Sequence, residues 1–118
     1  MDAPIISAYR HTLGLKIDAL ADLLGVSVRT MRAWESGRDP IPEGAAQDIL
    51  RLVRDQARLA QRMVDSGMII TLPRRRAEFP RGYYVAALAR ALEVEPDLMA
   101  EWDIPAIFAG DSDDEEEE

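Results

Sequence analysis

The stretch LADLLGVSVRTMRAWESG, Leu20 to Gly37, leaves the chain few ways to fold. Leu20, Ala21 and Leu24 share one face of a short helix. Gly25 then breaks it, because glycine takes up a left-handed helix cap at no steric cost. Val26 fills the turn. Ser27 suits the N-cap of a following helix, its hydroxyl accepting an orphan backbone N–H. Met31 and Trp34 recur on the inward face of that helix, and Ala21 leaves room for close approach. Two short helices must therefore pack tightly about Gly25. Val28, Arg29, Arg32 and Ala33 are left as the expected outer face of the second.

The same punctuation organises the rest of the first half. Ile6, Tyr9 and Leu13 recur at spacings of three and four, and Gly14 follows. This predicts a first helix over about 4–14, with later helices over 17–24 and 28–36, the last ended by Gly37. The two-proline loop RDPIPEG leads into a fourth helix. Pro42 and Glu43 suit its first turn, and it can run to Ser66, capped by Gly67. Ala46, Leu50, Val53, Ala57, Ala60 and Val64 make a heptad-like stripe along it. The stripe serves packing on the first three helices, a dimer seam, or a mixture of both. Arg51, Arg54, Arg58 and Arg62 form a second stripe. Asp48, Asp55 and Asp65 interleave with it, which favours surface ion pairing.

MIITL, Met68 to Leu72, is the one strand candidate, β-branched and bounded by Gly67 and Pro73. A lone strand needs a partner, and no second good strand is evident. Met68, Ile69, Ile70, Thr71 and Leu72 are therefore candidates for pairing with the same strand of another copy across a two-fold axis. A buried extended segment within one chain is the alternative. PRRRAEFPR reads as a basic linker, serving either as a phosphate contact or as a dock for an acidic segment. GYYVAALARALEV predicts a helix over about 82–92, EPDLMAEWD a short helix begun by Pro96, and IPAIFAG irregular chain. The run from Ala19 to Glu35 also aligns at fixed offset with Ala87 to Asp103. Asp97 stands opposite Arg29 there, so the second copy cannot do the same work.

Charge is unevenly placed. The formal net charge is -8 over 118 residues, yet residues 1–65 hold nine basic and nine acidic side chains. DSDDEEEE, Asp111 to Glu118, holds seven acids and no base. Such a block cannot pack and is expected to be disordered. With 47% hydrophobic residues the rest has the material for a core. The absence of cysteine rules out disulfides and thiolate metal sites. Nothing is long and apolar enough to span a bilayer. The opening MDAPIISAYRH lacks the basic and apolar regions of a signal peptide. A cytoplasmic setting is the expectation. With His11 the sole histidine, no nucleophile–base pair, metal set or phosphate loop can be assembled. Neither catalysis nor a cofactor is expected.

LADLLGVS, then TMRAWESGR with its W-E-x-G ending, then the proline loop, resemble the Cro and phage-repressor-like (XRE-type) helix-turn-helix regulators. The resemblance covers about residues 5–55. The continuation into a long helix and IITLPR is similar to a small phage and bacterial subgroup that includes anti-CRISPR-associated repressors. The resemblance implies a third helix lying in the major groove of double-stranded DNA. Val28, Arg29, Arg32 and Ala33 would then meet base edges, arginine through guanine O6 and N7 and the small apolar residues through thymine methyls. Lys16, Ser27, Thr30, Ser36 and Arg38 would meet phosphates, which position rather than specify. Arg10 and Glu35 would form a bidentate ion pair fixing the tilt of the reading helix. The chain departs from the family at Ile17, where a phosphate-reaching glutamine is usual, and at Lys16, a poor N-cap.

The expected architecture is mainly all-α. A lambda-repressor-like helix-turn-helix domain occupies residues 1–66, a helical dimerisation or interaction region with one short strand 67–110, and a disordered acidic tail 111–118. The expected function is a sequence-specific homodimeric repressor acting on a pseudo-palindromic operator. Two other readings stay open. One is a helix-turn-helix module that holds a protein partner through its C-terminal region, as an antitoxin does. The other is a phage host-takeover or DNA-mimic protein acting through its acids.

Overall fold

The computed structural model describes residues 1–74 and 77–103. The order is α1 (Ala3–Leu13), α2 (Ile17–Leu24), α3 (Val28–Glu35), α4 (Glu43–Ser66), β1 (Ile70–Pro73), α5 (Arg81–Val94) and β2 (Ala100–Asp103). The molecule is thus mainly helical, with one short sheet. Gly14, Gly25 and Gly67 close α1, α2 and α4 in the left-handed region, at φ 69°, 72° and 67°. Each stop lies where the sequence punctuation puts it.

The first four helices enclose a core of Ile6, Leu13, Leu15, Leu20, Ala21, Met31, Trp34 and Ile49. Tyr83 of α5 belongs to the same cluster, and Phe79 and Tyr84 pack against it. The segment after residue 66 is therefore not set apart in its packing. Gly14 and Gly82 bring α1 and α5 into backbone contact. A methyl group at either glycine would overlap the backbone carbonyl of the other.

The buried face of α4 differs from the expected stripe. Ala46 and Ala60 are buried, but with Ile49, Gln56 and Met63 rather than with Leu50, Ala57 and Val64. Leu50 is 38% exposed, and Ala57 and Val64 are half-buried. The helix turns its inward face by one residue because Gln56 is a core residue despite its polarity. Its amide nitrogen donates to the carbonyls of Leu13 (3.3 Å) and Tyr83 (3.1 Å). Its amide oxygen accepts from Arg90 Nη1 at 2.9 Å. Gln56 thereby satisfies carbonyl groups of α1 and α5 that water cannot reach. Gln56→Leu would keep the volume but leave those partners unmatched. It is expected to lower stability by about 2–4 kcal/mol, judged from the usual cost of each orphaned buried group, as read by urea unfolding.

Two expectations are corrected beyond α4. EPDLMAEWD does not form a helix, and the chain does contain a second strand. Residues 96–97 turn after α5, and β2 then runs parallel to β1, Ile70 opposite Ala100 and Pro73 opposite Asp103. Nine residues gain little as an isolated helix, whereas the edge of β1 offers ladder hydrogen bonds. Within the chain β1 therefore has its partner. Ile70 and Leu72 are buried against α4 and α5, leaving Met68, Ile69 and Thr71 at the surface. The alignment of Ala19–Glu35 with Ala87–Asp103 is not structural, since the counterpart of α3 is a turn and a strand. IPAIFAG, the acidic tail, and Arg75 and Arg76 of the basic linker lie outside the described residues.

Candidate nucleic-acid interface

The site is built on α3. Ser27 caps it, accepting from the Thr30 backbone N–H at 3.1 Å and donating to Thr30 Oγ1 at 3.0 Å. Met31 and Trp34 anchor its inner face at 0% and 6% exposure. Arg29 and Arg32 project from the outer face, exposed, with no carboxylate partner among the described residues. Arg38 follows in the loop, exposed, with Asp39 4.0 Å away.

Ala33 does not belong to the exposed set. It is 2% exposed. The chain after α3 folds back over it: the Ser36 hydroxyl and the Asp39 N–H both donate to its carbonyl, each at 3.2 Å. A buried methyl cannot meet a thymine. Val28 is half-buried and packs against the core, so it offers only part of its surface. Ser36 has committed its proton to Ala33. That leaves Thr30 and Arg38 as the side chains placed to donate beside the two outer arginines. Lys16 precedes α2 as an N-cap without a side-chain cap bond, and its ammonium is exposed. Ile17 packs against the core and so offers no polar group to a phosphate.

The base of α3 is clamped. Arg10 Nε donates to Glu35 Oε2 at 2.7 Å and Nη2 to Oε1 at 3.0 Å, a two-pronged contact. Its remaining Nη1 reaches the Leu15 carbonyl at 3.1 Å. Ser7 adds a hydrogen bond to Glu35 Oε1 at 2.9 Å, a contact the sequence reading did not identify. Two residues one turn apart on α1 thus hold the last residue of α3. Burial pushes the Glu35 carboxyl up, but the hydrogen bonds from Arg10 and Ser7 and the Arg10 charge outweigh it and hold it below the usual range. The same contact with Glu35 raises Arg10.

The sign of the pH effect follows. A carboxyl depressed in the folded state stabilises it above the ordinary glutamate value near 4.3. That contribution fades as pH falls through the folded value. Glu35→Gln is therefore expected to be less stable than the parent at pH 7, by about 1–3 kcal/mol for a charge-assisted pair. The gap should close as the pH drops below about 4. Thermal unfolding across that range measures both.

No helix of the described residues is long and apolar enough to cross a membrane. No group of three or more His, Asp or Glu side chains is placed among them to hold a metal ion. The arrangement is a rigid, capped helix that offers guanidinium groups and a hydroxyl to an external anionic surface.

Residues 6–58, just under half of the chain, match a family model described as a helix-turn-helix domain. Over 60 residues the chain is 37% identical to an uncharacterized HTH-type transcriptional regulator, YiaG, of Escherichia coli strain K12. The same level of identity holds for the YiaG proteins of strains O6:H1 and O157:H7. The match covers 51% of this chain and 62% of the relative.

Proposed function

We propose that the protein is a DNA-binding transcription regulator that reads a pseudo-palindromic operator as a homodimer and represses by occupying it. The observation that carries this is the pair Arg29 and Arg32. Both stand unpaired among the described residues, on the outer face of a helix whose tilt is fixed at its far end by Arg10 and Glu35. Arg29 and Arg32 serve as base readers, with Val28 at their edge. Lys16, Thr30 and Arg38 position the domain through phosphates, together with the free N–H groups at the start of α3.

The net negative charge is compatible with this role because it is segregated. Residues 1–90 hold fourteen basic and ten acidic side chains, whereas residues 91–118 hold twelve acidic and none basic. The acidic end competes with phosphate for the arginines. It thereby suppresses non-specific binding, which is mainly electrostatic, more than binding supported by base contacts.

Selection of bound sequences from random duplex DNA tests the reading. A palindromic consensus is expected. Deletion of Asp111–Glu118 should tighten binding to random DNA and leave the consensus unchanged. The absence of any enriched sequence, with or without the tail, would overturn the proposal.

A further inference from the structure

Three alanines leave room where α4 and α5 pass. Ala57 and Ala60 of α4 and Ala91 of α5 line an open groove of about 280 Å³, together with Val64 and Val94. Ala60 and Ala91 are buried and make its floor, whereas Val94 is 67% exposed at the rim. Arg90 and Glu93 line the same groove, one turn apart on α5. Neither has an ion-pair partner among the described residues, and they do not pair with each other. Arg90 is half-buried. Its Nη1 donates to Gln56 Oε1 at 2.9 Å and to the Val53 carbonyl at 3.4 Å, both neutral acceptors. Nε and Nη2 make no hydrogen bond among the described residues. Those two nitrogens form an edge of the guanidinium that can grip a carboxylate with two parallel bonds.

We propose that this groove binds a small zwitterion with an apolar side chain, an α-amino acid of the leucine class. Arg90 takes the carboxylate through Nε and Nη2, Glu93 takes the ammonium group, and the side chain lies on the alanine floor against Val64 and Val94. Each part of the ligand meets a group that the described chain leaves unmatched. A half-buried cation has given up part of its hydration, and a carboxylate bonded there compensates for it. The two charges also select. Glu93 repels an acid that brings no ammonium, and Arg90 repels an amine that brings no carboxylate. The volume, about 280 Å³, lies just below the range typical of sites for drug-sized ligands, which suits a molecule the size of one residue. The place matters for the rest of the fold. Gln56, which holds Arg90, also donates to the carbonyls of Leu13 and Tyr83, so the ligand sits on the clasp that joins α5 to α1 and α4.

The test titrates the full chain with L-leucine, with isocaproate and with isoamylamine. The last two carry the leucine side chain with the acid alone and the amine alone. NMR follows the Arg90 Nε–H and the backbone amides of Ala57 and Ala91, and circular dichroism verifies folding of each variant. Leucine is expected to shift these signals saturably, and to bind at least tenfold tighter than either analogue. It should also raise the midpoint of thermal unfolding, since a ligand of the folded state stabilises that state. Arg90→Lys keeps the charge but loses the fork, and should weaken leucine at least tenfold. Glu93 is exposed, so Glu93→Gln leaves the fold intact. That variant should weaken leucine at least tenfold and bring it level with isocaproate. The proposal is overturned if leucine gives no saturable shift at Arg90, if isocaproate binds the parent as tightly as leucine, or if Glu93→Gln changes nothing. Binding is read on the protein alone, so its failure leaves the DNA reading untouched, and the lack of an operator leaves this site standing.

Discussion

Replacing Arg29 and Arg32 together by alanine is expected to lower affinity for a selected operator at least about thirtyfold. Each arginine making a two-pronged guanine contact contributes about 1–3 kcal/mol of discrimination. Two at the lower bound sum to about 2 kcal/mol, and each 1.4 kcal/mol is a factor of ten. Charge loss alone would also weaken binding, so lysine substitution is the control. Arg29→Lys with Arg32→Lys keeps both charges but loses the planar fork. Affinity for random DNA should then hold while preference for the operator falls. The fold should survive both replacements, since both side chains are exposed. Competition binding at fixed salt, operator against scrambled duplex, gives the two numbers. If the lysine variant retains full preference, the arginines act as phosphate contacts only.

Gly82→Ala is expected to destabilise the protein by several kcal/mol, against the sign of helix propensity. Gly82 lies in α5, and alanine there would ordinarily gain about 1 kcal/mol as the better helix former. The packing reverses this. The new methyl would meet the Gly14 carbonyl oxygen, a backbone atom with no rotamer to yield. Relief requires α5 to lift from α1, which strains the Gln56 hydrogen bonds and the seat of Tyr83. Overpacking of this kind costs about 1–3 kcal/mol when side chains can adjust, and more when only backbone can. Gly14→Ala carries a second penalty, because Gly14 sits at φ 69°. Chemical denaturation of the two variants checks the order, with Gly14→Ala the worse.

The helix-turn-helix half was legible because its signals are local. Gly14, Gly25 and Gly67 each end a helix by a backbone preference that no distant contact overrides, and Ser27 caps α3 by reaching three residues along. Three errors came from packing that residue spacing does not encode, one from a nearby loop and two from contacts distant in sequence. Ala33 has the spacing of an outer residue, but the loop through Asp39 covers it, and a small side chain carries little sign of its own burial. The apolar stripe expected along α4 leaves out Gln56, which is buried because it pairs carbonyls of α1 and α5 that lie 43 and 27 residues away. Three of the four residues of AEWD, all but the tryptophan, disfavour strands. The segment becomes a strand because β1 lies alongside with its ladder groups open. The site's arginines needed only helical phase, whereas the surroundings that make them rigid, Ser7 included, needed the tertiary fold.

For the proposed dimeric DNA reader, the length of α4 has a consequence for the DNA it would accept. Its 24 residues span about 36 Å as an unbroken rod, and the Gln56 bonds fasten the reading head to it with no hinge between. In the proposed homodimer, two such heads would sit at a separation set by rigid helices, not one negotiated by a linker. Inserting a single base pair between half-sites moves one head about 3.4 Å and turns it by roughly a tenth of a helical turn. A stiff caliper cannot follow that change. The protein should therefore count base pairs between half-sites as strictly as it reads the bases within them.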